Sequence, residues 1–467
     1  MQTDLASVVD ALSEVHPATV DGLAAEQASA IDRAAAELTA QLPLSSYRAL
    51  LSQVLASMGD GASRLAVPRE LRAPVFPLVW LADGLYVYAD VPGDRPATSR
   101  RPIGAAAAAV HRTGSSAPER DQSPAGLREG DKILSIGGVS VDGLADVLGR
   151  FVLGGPTRTA VRSDGVDLVF SDLLLMNVGI DPSLSHVSVE VVRGEEILQP
   201  AIRRVTDEGR LVPSYSDVPS YAVVEGSRHR FPRAADHLTA PEVRILPASD
   251  VAYIRFDRCR VGDEYNEALR ELFTATTMER LSAVIVDLRF NVGGDPRVLN
   301  EFLRYLGVRE YQSYGTVTRF SPAAAKQFGH RRTEGGDVLR DPVVSLDRLQ
   351  YPSLVFNGQV YVLISEHTAG AAARFASVIK DQELGLLIGE QTGTSYAGFG
   401  DAVNLETPSL AIGFSVPHRL FISPTGDRGT YSGTVSPDVS VTTTIGDVLS
   451  GFDRQVAYAV RRAGRGR

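Results

Sequence analysis

The sequence is nearly empty of cysteine, tryptophan and lysine. Its 467 residues include one cysteine, Cys259, one tryptophan, and three lysines, which are Lys132, Lys326 and Lys380. A lone cysteine cannot form an intramolecular disulfide or share a metal ion with a second thiolate. We therefore expect a reducing compartment, the cytoplasm, and any chemistry that needs lysine must use one of three positions.

Long hydrophobic runs are also lacking. The longest apolar run, Ala105 to Val110, is far shorter than the roughly 20 residues of a membrane-spanning helix. The first residues contain neither the basic stretch nor the apolar stretch of a signal peptide. We therefore expect no membrane partner.

Positive charge is in the minority. The chain has 47 Lys and Arg against 56 Asp and Glu, a formal net charge of −9, which makes nucleic acid a poor partner. Its composition, 44% hydrophobic and 22% charged, is that of an ordinary globular protein. No His-Glu-x-x-His motif, cysteine pair or phosphate-binding loop is present, so the sequence predicts no metal and no cofactor.

Periodicity divides the chain into three parts. Residues 4–58 have the spacing of helices, and apolar runs around the turn signal Asp83-Gly84 predict a β-hairpin. Residues 92–124 are rich in Ala, Arg, Ser and Pro and predict a mobile loop, and 206–247 predict a linker. Strand-like and helical runs then alternate, which predicts a mixed or parallel sheet covered by helices. The runs are 251–256, 283–287 and 359–364 for strands and 265–276, 297–306 and 371–380 for helices.

Several motifs in order resemble the C-terminal-processing and tricorn-type serine peptidases. Residues 126–138 resemble the loop and strand of a PDZ domain, and Ile285 to Gly294 resembles the family signature Asp-Leu-Arg-x-Asn-x-Gly-Gly. Residues 362–372 resemble the nucleophile turn of the family. Further similar segments are Leu387 to Gly393, Ser436 to Val439, His16-Pro17 and Met58 to Leu65.

The resemblance covers nearly the whole chain and implies an α+β multi-domain fold. The implied parts are a helical N-terminal cap over 1–73 and a PDZ-like β-rich unit over 74–205, with an insertion at 143–186. The linker 206–247 and a mixed α/β, ClpP/crotonase-like peptidase core over 248–467 follow.

The residues that carry peptidase chemistry in the family are absent at the matching positions. Acyl transfer needs a hydroxyl nucleophile, a base and N–H donors for the oxyanion. The nucleophile position is Gly370, and the position of the histidine base is Ala62. No lysine stands in the segment after Gly389-Glu390, where the other branch of the family has its base. The resemblance leaves Gly293 and Gly294, whose N–H groups are expected at the oxyanion hole.

Replacement chemistry has few candidates. His367 is three residues before Gly370 and is expected to act as an acid or base or to pack under the turn, while Glu366 and Glu390 would orient it or polarise a ligand. Ser365, Ser377 and Ser395 are alternative nucleophiles in a shifted register. The aromatic candidates for an apolar pocket are Tyr86, Tyr396 and Phe399. Asp287 and Arg289 are expected to form a structural ion pair, and Cys259 to be a buried apolar residue.

Two classes of function are favoured, and both are non-proteolytic. The first is a cytoplasmic enzyme on the peptidase scaffold that performs a cyclisation, isomerisation or elimination on a small molecule or short peptide, in a biosynthetic pathway for example. The second is a pseudopeptidase that binds a peptide, with strand addition at the PDZ-like unit as one route. An active peptidase with a shifted nucleophile is the third hypothesis.

Overall fold

The structure is a computed structural model. It describes residues 1–38, 42–66, 78–88, 91–92, 126–149, 166, 169–170, 172–181, 184, 186–203, 238–340, 342–394, 397–424 and 434–464. The expected mobile loop 92–124 and most of the predicted linker therefore lie outside the described residues.

The described helices and strands are numbered in chain order. The helices are α1 Gln2–Val15, α2 Ala25–Glu37, α3 Leu44–Ala56, α4 Val141–Leu148, α5 Asp172–Asn177, α6 Asp263–Met278, α7 Val298–Tyr305, α8 Pro322–Phe328, α9 Ala371–Asp381, α10 Ile445–Ser450 and α11 Arg454–Ala463. The strands up to residue 203 are β1 Arg64–Leu65, β2 Leu78–Leu81, β3 Gly84–Val87, β4 Val91–Pro92, β5 Gly126–Leu127, β6 Lys132–Ile136, β7 Val139–Ser140, β8 His186–Arg193, β9 Glu196–Leu198 and β10 Ala201–Arg203. The remaining strands are β11 Glu242–Ile245, β12 Val251–Arg255, β13 Ala283–Asp287, β14 Glu310–Gln312, β15 Gly315–Arg319, β16 Gly336–Leu339, β17 Val343–Ser345, β18 Gln359–Ile364, β19 Leu386–Gly389, β20 Gly398–Glu406, β21 Gly413–Ile422 and β22 Val439–Ser440.

The C-terminal part is built on a six-stranded sheet in the order β11-β12-β13-β18-β19-β22. The five strands from β12 to β22 are parallel, and β12 and β13 are buried along their whole length. Such strands read as continuous apolar runs because helices cover both faces. Here α6, α7 and α9 pack on one face and α11 packs on the other. The predicted mixed α/β core is confirmed.

The strand β11 corrects the predicted boundary of this core. Residues 242–245 were expected in the linker 206–247, but they pair antiparallel with β12. Their alternation of Glu and Arg with Val and Ile is that of an exposed edge strand, which lacks the apolar run of a central strand. The α/β unit therefore begins at residue 242 or earlier, before the predicted 248.

The middle of the chain forms a sheet in the order β10-β8-β6-β3-β2, to which β7 and β9 add. The predicted hairpin is present, with β2 and β3 joined at Asp83-Gly84. The predicted insertion 143–186 contributes Leu144, Leu174 and Leu175 to the same buried cluster as the strands. Its described residues are therefore part of the core of this PDZ-like unit.

The N-terminal helices are joined to the C-terminal part by a second sheet. Strand β1 pairs with β21, which also pairs with β20 and β15. Leu12 of α1 and Leu51 of α3 lie in one buried cluster with Val403 and Phe414 of that sheet. The predicted helical cap is thus fastened to the core by apolar contacts. Within the described residues no helix has the length and apolar character needed to cross a membrane.

Arg289 is the most deeply buried charge of the core. Its guanidinium, 1% exposed, donates to the Asp287 carboxylate from Nε at 2.9 Å and to the Asp453 carboxylate from Nη2 at 2.7 Å. Burial opposes its charge, but the two carboxylates outweigh burial and hold the pKa of Arg289 well above its ordinary value. Asp453 also caps α11 by accepting the Val456 N–H at 3.0 Å. The predicted structural ion pair is confirmed.

We predict that Arg289→Met strongly destabilises the fold, by about 3–5 kcal/mol, because it leaves two buried carboxylates without their cation. Arg297→Met is the matched control, since Arg297 pairs with Asp295 at 2.6 Å but is 72% exposed. Urea denaturation followed by circular dichroism measures both variants. Equal midpoints for the two would contradict a structural role for the buried pair.

Candidate functional site

Gly370 forms the turn between β18 and α9. Its backbone angles are φ 53° and ψ −121°, and it immediately precedes the first residue of α9. A strained strand-turn-helix geometry of this kind presents the nucleophile in many hydrolases. A Cβ at Gly370 would lie 3.7 Å from the Gly293 Cα and 3.8 Å from the Val292 carbonyl oxygen, which are ordinary contacts. The turn therefore has the shape and the room for a side chain but carries none.

The turn is held by the segment that follows β13. The Ser365 hydroxyl donates to the Arg289 carbonyl, the Thr368 hydroxyl donates to the Leu288 carbonyl at 2.8 Å, and the Ala369 N–H donates to the Asn291 carbonyl at 3.0 Å. Two side chains and one amide thus bind the turn to three successive positions of the signature segment.

The alternative nucleophiles of the shifted register are engaged elsewhere or not described. Ser365 is 7% exposed, and its proton is donated to Arg289. The Ser377 hydroxyl donates to the Asp381 carboxylate at 3.1 Å and accepts from the Tyr314 hydroxyl at 2.7 Å. Ser395 lies outside the described residues. Neither described serine presents a free hydroxyl proton.

Gly293 approaches the Gly370 turn so closely that only glycine fits. Its φ is +94°, and a Cβ there would lie 2.9 Å from the Ala369 carbonyl oxygen and 3.0 Å from the Ala371 nitrogen. Its N–H, however, donates to the Asn291 side-chain oxygen at 2.9 Å. The expectation that the Gly293 N–H serves an oxyanion is therefore corrected, because Asn291, which is fully buried, has claimed that donor.

Two other N–H groups remain at the turn. In the part of the chain that the structure describes, neither the Gly294 N–H nor the Ala371 N–H has a hydrogen-bond acceptor. Ala371 is the first residue of α9, where helix geometry leaves N–H groups without internal partners. Sequence reasoning missed Ala371, although its place directly after the nucleophile position at a helix start was a usable signal.

A threonine that sequence reasoning also missed contacts the turn. The Gly370 N–H donates to the Thr394 hydroxyl oxygen at 3.1 Å. The Thr394 carbonyl accepts from the Thr392 hydroxyl at 2.8 Å, and the Gly393 N–H donates to the Thr368 carbonyl at 3.1 Å. These bonds hold the loop after β19 over Gly370. No motif marks Thr394, since the register of this loop is set by the tertiary structure.

The loop that carries Ala62 is fully built around Asp60. One carboxylate oxygen of Asp60 accepts the Ala62 N–H at 2.6 Å and the Ser63 N–H at 2.5 Å. The other accepts the Ser63 hydroxyl at 2.7 Å and lies 3.0 Å from Nε2 of His16. The His16 ring lies 4.5 Å from the ring of Phe399. The loop thus keeps its scaffold, while position 62 offers only a methyl group.

The remaining candidates are spread over several places. His367 is half-buried with its ring 5.3 Å from that of Phe290, and its N–H donates to the Ser365 hydroxyl at 3.2 Å. Glu366, in the same turn, and Glu390, whose N–H donates to Ile364 at the end of β18, are half-buried too.

The aromatic candidates are not brought together. Tyr86 lies in the PDZ-like sheet, where its hydroxyl donates to Asp83 at 2.6 Å. Phe399 contacts His16 of the helical cap. Tyr396 lies outside the described residues. The predicted aromatic pocket is therefore not formed by the two members that the structure describes.

Cys259 and the acidic side chains provide neither a nucleophile nor a metal centre. Burial raises the pKa of the Cys259 thiol to about 12, and the residue is 4% exposed, as expected for an apolar core position. Among the described residues, no three His, Cys, Asp or Glu side chains converge on a point that would hold a metal ion.

We predict that Gly293→Ala destabilises the fold by about 3 kcal/mol, since strain at positive φ adds to a backbone clash with residues 369 and 371. Gly329→Ala is the matched control, because Gly329 has φ +73° but nothing within 4 Å of a built Cβ. The control should lose only about 1 kcal/mol from the strain. Thermal denaturation of both variants measures the difference, and equal losses would show that the close approach has no energetic weight.

Comparison with known proteins places this geometry. Residues 250–441 match peptidase family S41. Among solved structures, mature CPAF superimposes with a TM-score of 0.61 at 15% sequence identity, over 98% of this chain and 95% of CPAF. CPAF complexed with lactacystin gives the same TM-score and identity, over 98% of this chain and 96% of that one. At this identity the likeness concerns the fold.

No curated protein sequence matches the chain significantly. The motif order and the family match nevertheless agree on the same region, from β12 to the segment after β22. Residues 250–441 are thus a peptidase family S41 domain, and the chain is a homologue of the C-terminal-processing and tricorn-type serine peptidases.

Proposed function

We propose that this chain is a non-proteolytic S41 homologue that holds a peptide or another acyl compound at the Gly370 turn without forming an acyl-enzyme. One observation carries the proposal. The backbone of the turn keeps the strained geometry of a nucleophile turn, with room for a Cβ, and the residue in it is glycine.

The chemistry of peptide cleavage has no side chain to start it at this turn. Gly370 supplies no nucleophile and Ala62 supplies no base. Lys380, the lysine nearest in sequence, donates to the Ser436 carbonyl at 2.8 Å and pairs with Asp438 at 3.0 Å. Removing the nucleophile or the histidine of a serine protease lowers the rate by about 10⁶-fold. Both changes together favour binding over cleavage.

The groups that would bind a carbonyl are still available. The Gly294 and Ala371 N–H groups lie on the two segments that meet at the turn, and a helix N-terminus favours a partial negative charge. Backbone donors of this kind stabilise a carbonyl oxygen without any contribution from a nucleophile. The site is therefore suited to hold an acyl group in place.

We predict that wild-type protein incubated with a fluorophosphonate gains no mass on any serine between residues 360 and 400. The double variant Gly370→Ser/Ala62→His should gain one adduct on residue 370, since the turn has space for the side chain and the Asp60 loop is intact. The single variants Gly370→Ser and Ala62→His are the controls and should react much more slowly or not at all. Intact mass spectrometry measures all four, and a stoichiometric adduct on the wild type would overturn the proposal.

The binding half of the proposal needs a ligand. Lactacystin, which is bound to mature CPAF in a solved structure, is the first compound to test by thermal shift on the wild type. A raised melting temperature supports an open acyl site. A raised melting temperature in Gly293→Ala to the same extent would place the compound elsewhere.

The second candidate function is an enzyme that uses His367 as its acid or base on a small molecule or short peptide. The observation in its favour is that His367 is half-exposed on the same turn as Gly370. Cyclisation, isomerisation and elimination need a positioned proton donor or acceptor and no covalent intermediate. The stacking of His367 on Phe290 equally suits a packing role.

We predict that His367→Gln separates these two roles. If His367 is the acid or base, the variant keeps its melting temperature and its turnover loses the pH dependence between about 5 and 8, where an ordinary imidazole titrates. If His367 only packs against Phe290, the melting temperature falls and the pH profile is unchanged. Both quantities are measured on one variant with the substrate identified by thermal-shift screening.

A further inference from the structure

A pocket of about 250 Å³ lies beside the start of α6. Its apolar wall includes Leu238 and Pro241, which precede β11, and Phe256 and Tyr265, which are both 2% exposed. The pocket is large enough for one amino-acid side chain with part of its backbone. Its apolar wall favours a ligand that has an apolar body.

The pocket adjoins the Gly370 site through one β-bridge. The segment after β12 runs parallel to the segment after β13, with Cys259 opposite Gly294. The Cys259 N–H donates to the Gly293 carbonyl at 2.9 Å, and the Asp295 N–H donates to the Cys259 carbonyl at 2.7 Å. The pocket and the turn therefore open at the same carboxyl edge of the sheet, where ligands of α/β folds bind.

Two arginines of this bridged segment line the pocket. Arg258 and Arg260 flank Cys259, and side chains alternate along an extended segment, so both point away from the side on which Cys259 is buried. Both are exposed, and within the described residues neither guanidinium has a carboxylate partner. Two unpaired guanidinium groups on one side of a pocket match the acceptor geometry of a carboxylate.

The acidic residues of the pocket are accounted for differently. Asp257 at its base is neutralised by Arg255, whose Nη2 donates to the carboxylate at 2.8 Å. Asp263 and Glu264 lie in the first turn of α6, where the partial positive charge of the helix N-terminus favours them. The two arginines are thus the groups of the pocket that have no opposite charge assigned to them.

We infer that this pocket binds the carboxylate of an apolar residue of a peptide or peptide-like ligand, with Arg258 and Arg260 as the recognition residues. The inference rests on the proposed function, because it places the anionic end of the ligand beside the acyl site at Gly370. The carboxylate can come from a C-terminal residue or from an acidic side chain. The ligand probes below distinguish these sources.

The test uses three small probes on the full-length protein by isothermal titration and saturation-transfer NMR. They are N-acetylphenylalanine, its neutral amide, and the α-amide of N-acetylglutamate. We expect N-acetylphenylalanine to bind and the neutral amide to bind at least about tenfold more weakly, as the loss of charge-assisted hydrogen bonds requires. Binding of the glutamate probe in its place would identify an acidic side chain as the ligand group and retain the anion site.

The variant Arg258→Gln/Arg260→Gln should weaken binding of the acid about tenfold or more and leave the melting temperature unchanged, since both side chains are exposed. Arg270→Gln is the control, because Arg270 lies on the same helix α6 but outside the pocket, paired with Glu267 at 3.2 Å. Equal binding of acid and amide, absence of binding of both acids, or an unchanged affinity in the double variant would each overturn the inference. Fluorophosphonate labelling of the wild type is a separate measurement, so failure of the proposed function is distinguishable.

Discussion

The burial of one cation, Arg289, determines the shape of the site. Its guanidinium joins the end of β13 to the start of α11 through Asp287 and Asp453, and so holds the segment 287–291 in the core. Carbonyl groups of that segment then accept the hydrogen bonds of Ser365, Thr368 and Ala369. A buried ion pair seldom adds net stability, but it is very costly to break, and it therefore specifies a single arrangement. The position of Gly370 follows from that arrangement.

The loss of reactive side chains leaves the scaffold of the site unstrained. A serine at φ +53° carries a backbone cost of about 1–2 kcal/mol, which glycine does not have. The Asp60 loop likewise keeps its four hydrogen bonds to the Asp60 carboxylate with alanine at position 62. Neither position needs its missing side chain to keep the fold. Nucleophile and base are therefore dispensable for structure, and the binding surface persists without them.

The sequence was sufficient to predict the parts of the fold that depend on local pattern. The apolar runs of β12, β13 and β18 and the pairing of Asp287 with Arg289 were predictable, because burial on both faces and a charge pair in one motif leave a local signal. The engagement of the Gly293 N–H by Asn291 was not, since both residues belong to the same motif and its pattern does not say which way the amide points. The role of Thr394 was not predictable either, because 24 residues separate it from Gly370. Contacts of this kind depend on how the loops fold over the sheet edge.

The parallel arrangement of β12, β13 and β18 sets the spacing between the two proposed binding groups. The arginine pocket follows β12, Gly293 follows β13, and Gly370 follows β18, so the pocket and the turn are two strand positions apart. Neighbouring strands lie about 4.8 Å apart, which makes the separation roughly 10 Å. An extended chain covers about 3.3–3.6 Å per residue, so about three residues bridge the two places. On the proposed function, a ligand whose carboxylate lies between Arg258 and Arg260 presents at Gly370 a carbonyl about three residues before its anionic end.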